Sequence, residues 1–354
     1  MKKKFRVGVI GCGGIATAHV WGIINSPDLE IGALCDIVPE KLEEKKRQCG
    51  ASDDMLFDDY IKMIESGKVD AVDICTPNNL HFEMAMEAVK HGLPYSVEKP
   101  VCLCKEDAAT LLEETKKKNI LNMVCFSYRF ISAARYARDL VQSGDLGGIY
   151  QISGEYFQDC APAKNGHGAP LIWRFDKKIA GSGALGDLGS HMIDLIRFIM
   201  GRDFTRISAD YDTLVRTRPH PSYDGRICDV LVDDYIDMIG QVEGNVGVNM
   251  SISRFAYGRG NYQRIEVYGE KGALRYTLDN VGKLEVNIGN DPMRQAHIWC
   301  DVPVPQKYDS NQAQSFADIL NGCGDGLAAT IEDGWKSHIV MDAALLSAKN
   351  AIKL

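Results

Sequence analysis

The feature that most limits what this chain can fold into is a glycine-rich turn placed directly after its first apolar run. Residues 5–10, FRVGVI, are a short β-branched stretch suited to a strand buried on both faces, and Gly11-Cys12-Gly13-Gly14-Ile15-Ala16 follows at once. This fits G-x-G-x-x-A. Gly11 permits the tight turn, Gly13 lets backbone approach a pyrophosphate, and the small Ala16 lets the next helix pack against the strand. A helix running from Ile15 to Asn25 would aim the amides around Gly14 and Ile15 at that anion. Alone the match is weak, but a second strand, EIGALC, ends at Asp36, about 20 residues past Ala16, where a carboxylate can reach an adenosine ribose. Asp36 would repel the extra phosphate of NADP, and Ile37 and Val38 bring no arginine to compensate, so the expected cofactor is NAD.

Strand and helix patterns then alternate: a helix over Pro39–Gln48, a short MLF strand, a helix at Tyr60–Ser66 and a strand at Ala71–Cys75. Thr76-Pro77-Asn78-Asn79 interrupts at the carboxyl end of that strand, where open α/β sheets hold ligands, which makes Thr76, Asn78 and His81 candidate cofactor neighbours. Turn chemistry alone would also account for the Thr-Pro-Asn composition. A helix over His81–His91, a strand at Tyr95–Val97, a helix over Lys105–Lys118 and a strand at Leu121–Phe126 complete a doubly wound parallel sheet of about six strands. Glu98-Lys99-Pro100 leaves the strand at Val97 on the same sheet edge as Gly13 and Thr76. An ammonium at Lys99 could hydrogen-bond a substrate hydroxyl; a structural pair with Glu98 is the other reading.

The pattern changes after Phe126, which sets the expected boundary between a Rossmann domain, 1–126, and a substrate-binding and oligomerisation domain, 127–354. The second part begins with a helix over Ala133–Gln142, a strand at Ile149–Phe157 and a loop at 158–171 whose Lys164, Asn165 and His167 suit a substrate-facing role. Next comes GSGALGDLGSHMIDL, residues 181–195. Here Asp187 and His191 are four apart, so in a helix a carboxylate could hold the imidazole in one tautomer and stabilise its charged form; a core histidine bonded to its own turn is the other reading. The glycines at 181, 183, 186 and 189 imply a close backbone approach. Alternating runs such as ISADYDTLV, VLVDDYIDMIGQV and VGVNMSIS, separated by turns such as EGN and GEKG, predict a large, mostly antiparallel sheet. One face of it must be covered, by the 187–191 helix or by another copy of the chain. Helices over Gln312–Leu320 and Ile331–Ala351 close an α/β fold followed by α+β.

Composition narrows the functional classes. The 354 residues exceed what one core usually holds, and a formal charge of −8 argues against a nucleic-acid surface. No apolar run has the length of a membrane span, and MKKKFRVGVIG passes from lysines straight into a strand, so a cytoplasmic protein is expected. Eleven scattered cysteines without a Cys-x-x-Cys pair read as free thiols in a reducing compartment, and eight histidines that do not gather beside them argue against a structural zinc.

With the glycine turn, Glu98-Lys99-Pro100 and G-x-x-x-D-x-G-x-H in this order, the full length of the chain resembles the glucose-fructose oxidoreductase / inositol dehydrogenase family (Gfo/Idh/MocA). The resemblance implies that Lys99, Asp187 and His191 surround the reacting carbon as catalytic groups, and that copies associate through the C-terminal sheet as a dimer or tetramer. Trp173-Arg174-Phe175-Asp176-Lys177 looks like the subgroup containing levoglucosan dehydrogenase, which adds Trp173 and Arg174 as cofactor neighbours, although Trp173 also reads as a core aromatic. The implied activity is NAD-dependent oxidation of a secondary ring hydroxyl, such as that at the sugar C3 position, in a sugar, glycoside or cyclitol. Two alternatives stay open: an NAD-retaining glycosidase or lyase-like cycle through a keto-sugar, and a non-catalytic NAD-binding sensor.

Overall fold

The structure is a computed structural model that describes residues 4–161, 169–222, 224–279, 281–289 and 297–348. Lys164, Asn165 and His167 of the expected substrate loop lie outside the described residues. The chain divides into two compact units, the first comprising the chain through Ser127 with Ser310–Trp335, the second Tyr128–Asp309 with the chain from Lys336 onward.

The first unit is built on strands β1 (Phe5–Ile10), β2 (Leu29–Cys35), β3 (Leu56–Phe57), β4 (Ala71–Ile74), β5 (Tyr95–Val97) and β6 (Asn122–Val124). They form one parallel sheet in the order β3-β2-β1-β4-β5-β6, in which the strand order reverses beside β1 and opens a crevice at the carboxyl ends. Both faces are covered. Helices α1 (Ala16–Ile24) and α2 (Pro39–Cys49) lie over Val7, Val9 and Leu34, while α3 (Tyr60–Glu65), α4 (His81–Lys90) and α5 (Lys105–Lys117) lie over Val72, Ile74 and Val97. Each such fully buried aliphatic side chain contributes about 1.5–3 kcal/mol relative to exposure. A simple division after Phe126 does not hold, because residues 310–335 return to this unit. Gln314 bonds to Ser26 and Asp28, and the Ala329 carbonyl accepts the Val124 amide at 2.8 Å along the outer edge of β6.

The second unit carries β7 (Ile149–Phe157), β8 (Phe204–Asp212), the small hairpin β9 (Thr217–Pro219) and β10 (Ile227–Asp229), then β11 (Tyr235–Val242), β12 (Val246–Ser253), β13 (Tyr262–Gly269), β14 (Gly272–Asp279), β15 (Val281–Ile288) and β16 (Cys300–Asp301). Eight strands form a sheet in the order β16-β15-β14-β13-β7-β12-β11-β8, antiparallel except for β12 beside β7. The run expected to be a strand from Val230 starts instead at Tyr235. Asp233 and Asp234 are spent on other segments before it. The helix Ser190–Met200, all of whose residues are buried, lies on β7: a Cβ at Gly154 would meet Met192 and Ile196. Helix α6 (Ser132–Gln142) packs beside it. No helix among the described residues is long and apolar enough to cross a membrane.

Candidate active site

In the first unit, the ladder bonds continue past the strand ends and gather the predicted residues on one edge. Gly11 donates to the Cys35 carbonyl, Cys75 to Ile10, Glu98 to Ile74 and Cys125 to Val97, at 2.7–2.9 Å. Gly11 has φ +90°, and a Cβ there would lie 2.8 Å from the Cys75 carbonyl carbon, so the tight turn is required on both counts. The Asp36 carboxylate accepts the Cys12 amide at 2.7 Å and the Val38 amide at 2.9 Å, which fixes it at the end of β2. Thr76 is partly exposed and its hydroxyl lies on the Met84 sulfur, while Asn78 is buried.

His81, expected beside the cofactor, bonds within the first unit to two backbone carbonyls. It is fully buried, with Nδ1 2.7 Å from the Pro100 carbonyl and Nε2 2.8 Å from the Thr76 carbonyl, so the ring ties the turn after β4 to the turn after β5. Only a doubly protonated ring could donate to both carbonyls, whereas burial holds its pKa below the ordinary histidine value. Lys99 is partly exposed, and its amide donates to the Glu98 carboxylate at 3.2 Å.

In the second unit, residues 185–189 form a π-turn that runs directly into the helix Ser190–Met200. The α-helical spacing assumed for Asp187 and His191 is therefore replaced by a wider winding, a form that recurs at functional sites. Four residues still make about one turn in either winding, so the two groups leave on the same side. The reason for the glycines is explicit at one of them. A Cβ at Gly183 would lie 1.8 Å from the Asp233 carbonyl oxygen, and Asp233 accepts the amides of Gly183 and Leu185 through its carboxylate at 2.6 Å each and that of Ala184 through its carbonyl at 2.8 Å. Asp233 thus caps the start of this segment. Asp187 keeps a quarter of its side chain exposed, with Arg174 Nε 3.7 Å away, and the Arg174 guanidinium lies over the Trp173 ring at 4.4 Å.

His191 is 7 % exposed and meets Tyr128 edge-on at 4.6 Å between ring centres. The Tyr128 and Tyr156 hydroxyls share one hydrogen bond at 2.5 Å and lie 3.1 and 2.8 Å from Asn261 Oδ1, so that one of them donates to the other and the other to Asn261, which also receives Gln158. Burial pushes the Tyr156 hydroxyl well above its usual range, and Tyr128 and Asp187 add to the effect. Next to Tyr128, Arg129 grips Asp194 of the buried helix through two bonds of 2.8 and 2.6 Å, which sets the ring against His191.

Residues 5–126 match the NAD-binding Rossmann fold of an oxidoreductase family, and residues 134–275 match the GFO/IDH/MocA C-terminal domain. The chain belongs to the Gfo/Idh/MocA family. It is 32% identical to levoglucosan dehydrogenase from Pseudarthrobacter phenanthrenivorans, across 98% of this chain and 96% of that one. It is 30% identical to myo-inositol 2-dehydrogenase from Thermotoga maritima, across 99% and 98%. A solved structure of levoglucosan dehydrogenase in complex with NADH and L-sorbose superposes with a TM-score of 0.87 at 27% identity, covering 98% of this chain and 97% of the other.

The residues of this Gfo/Idh/MocA chain fit NAD. A Cβ at Gly13 or Gly14 would meet nothing within 4 Å, so the approach to the first amides of α1 is open, as a close diphosphate needs. Asp36 presents a fixed carboxylate beside Ile37, which is 85% exposed, and neither Ile37 nor Val38 brings a cation for a further phosphate. Gly11, Gly13, Gly14, Ile15, Ala16 and Asp36 would hold the dinucleotide. Sequence reasoning missed Asp233, Tyr128, Tyr156 and Asn261. The adjacent acids of VLVDDYID, one of which falls on the inward side of any alternating strand, were the only available signal.

Proposed function

We propose that this enzyme oxidises a secondary ring hydroxyl of a sugar, glycoside or cyclitol with NAD. His191 accepts the hydroxyl proton, Asp187 orients the imidazole, and Lys99 hydrogen-bonds the same oxygen as negative charge builds on it. Bound NAD supplies the two-electron acceptor. Arg174, stacked on Trp173, acts by holding the Asp187 carboxylate, with Thr76, Asn78 and Glu98 as neighbours of the cofactor. The observation that carries the reading is the nearly buried His191 one turn after a partly exposed carboxylate, at the head of an otherwise buried helix. Its support from outside the chain is that relatives matching its full length are named as dehydrogenases of levoglucosan and myo-inositol.

Copies associate through the large sheet of the second unit, where Ile239 on β11 is 66% exposed, in a reducing cytoplasm that suits free thiols. Light scattering checks the association; a monomer rejects it.

The activity test incubates the protein with NAD and levoglucosan, myo-inositol or methyl glucosides and follows NADH absorbance. Stoichiometric NADH is expected from at least one. Release of methanol without NADH, or no reaction at all, refutes the dehydrogenase. Lys99→Ala should slow turnover by about two to four orders of magnitude, the range for a positioned acid-base group.

A further inference from the structure

A buried charge cluster beneath the Lys99 turn takes no part in the reaction as described. His19, on α1, is 9% exposed, with Nδ1 2.8 Å from Asp73 Oδ2 and Nε2 2.9 Å from Glu98 Oε1. The Ser96 hydroxyl donates to the other Asp73 oxygen at 2.5 Å, and the other Glu98 oxygen accepts the Lys99 amide at 3.2 Å. We propose that His19, as an imidazolium clamped between Asp73 and Glu98, is a positioning residue that fixes the Glu98-Lys99-Pro100 turn. The proposal rests on the reading of Lys99 given above.

The charge state follows from the donors. A neutral imidazole has one N–H and could serve one carboxylate, leaving its lone pair against the other at under 3 Å; the doubly protonated ring serves both. Burial is the largest single effect and opposes that charge, but the contacts with Asp73 and Cys75 together outweigh it and the His19 pKa stands well above its ordinary value. The remaining groups facing the ring are Cys75 and Cys125. Burial pushes Cys75 up to about 12 and Cys125 in the same direction, so both stay thiols. Atoms of His19, Asp73 and Cys125 lie within 4.8 Å of one another, a spacing a metal could also use, but both ring nitrogens already meet carboxylates.

Stability does not call for this arrangement. Asp73 lies on a central strand whose other positions are apolar, and well-packed hydrophobic residues commonly match or exceed a buried ion pair. What the cluster does supply is a chain of two contacts, 2.9 and 3.2 Å, from α1 through Glu98 to the Lys99 backbone, which presets where that side chain begins.

The test is a double-mutant cycle of His19→Gln and Lys99→Ala, read as NADH formation from NAD and the best substrate of the panel above, with NADH affinity by fluorescence titration. His19→Gln should lower kcat about 10–100-fold with NADH affinity within about threefold, and should lower it no further in the Lys99→Ala background. Equal fold losses in both backgrounds overturn the proposal alone. Unchanged turnover in Lys99→Ala overturns the assignment of Lys99 and the proposal with it, so the two failures are told apart. Where His19→Gln does not fold, Asp73→Asn, which keeps the shape and removes one charge, decides by the same pattern. An independent readout is nitrogen NMR of the His19 ring, which should remain doubly protonated at about pH 8, above the ordinary histidine range. A neutral ring there, or one equivalent of bound zinc in the purified protein, overturns it.

Discussion

Replacing Asp233 by asparagine tests whether the start of the His191 segment is held in place by one buried carboxylate. Its two oxygens accept the Gly183 and Leu185 amides at 2.6 Å each. The asparagine keeps one acceptor and turns the other end into a donor facing an N–H. The unserved buried amide costs about 1–3 kcal/mol. Burial pushes the Asp233 carboxyl above its ordinary range, so its charge adds nothing net to the folded state and asparagine loses no more than that amide. In a unit of this size that lowers the melting temperature by about 2–12 °C. The pH dependence has a definite sign. With the folded pKa raised, the group's contribution is full below its unfolded pKa and lost as pH rises through the folded value, and asparagine removes that slope. Because the Asp187 amide bonds to the Gly183 carbonyl at 3.0 Å, kcat measured well below the melting temperature should also fall about tenfold or more. Calorimetry and steady-state NADH formation read both. An asparagine variant with unchanged melting temperature and turnover would refute the reasoning.

Asp36→Ala should lower kcat/KM for NAD and raise it for NADP, bringing their ratio down by more than about tenfold; an unchanged ratio removes Asp36 from cofactor choice. Tyr128→Phe keeps the ring against His191 and should cost little turnover, whereas Tyr128→Ala should lower kcat about tenfold or more. Equal effects of the two variants would show that the ring contact is idle. His338, buried in the helix Ile331–Ala348, has neither ring nitrogen bonded among the described residues, and burial holds its pKa down to about 4. The unfolded chain therefore binds the proton first, and stability should fall by about 3 kcal/mol as pH drops from about 6.5 to 4. Denaturant unfolding should show His338→Leu flattening that slope; an unaltered slope counts against it.

What the sequence disclosed follows the range of the interactions. Gly11, Ala16 and Asp36 announce themselves because a turn, a helix start and a strand end are local events with fixed residue demands. Asp187 and His191 stand out for the same reason, although the π-turn between them does not, since no residue type specifies it. Asp233 meets Gly183 across 50 positions and Tyr128 meets Asn261 across 133, and nothing in either stretch marks the partner. The bonds of His81 to the turns after β4 and β5 were not legible, because their partners are backbone carbonyls, which carry no signature in sequence. Asp73 was hidden inside an apolar run, where its neighbours made it read as ordinary strand.

The return of residues 310–335 to the first unit has a consequence for synthesis. On the ribosome, the segment through Ser127 emerges long before Ala329, and until then the Val124 amide at the rim of β6 has no carbonyl to meet. The nascent Rossmann sheet waits with an open margin that other chains could pair with, and closes it only when the segment around Ala329 arrives, some two hundred residues later.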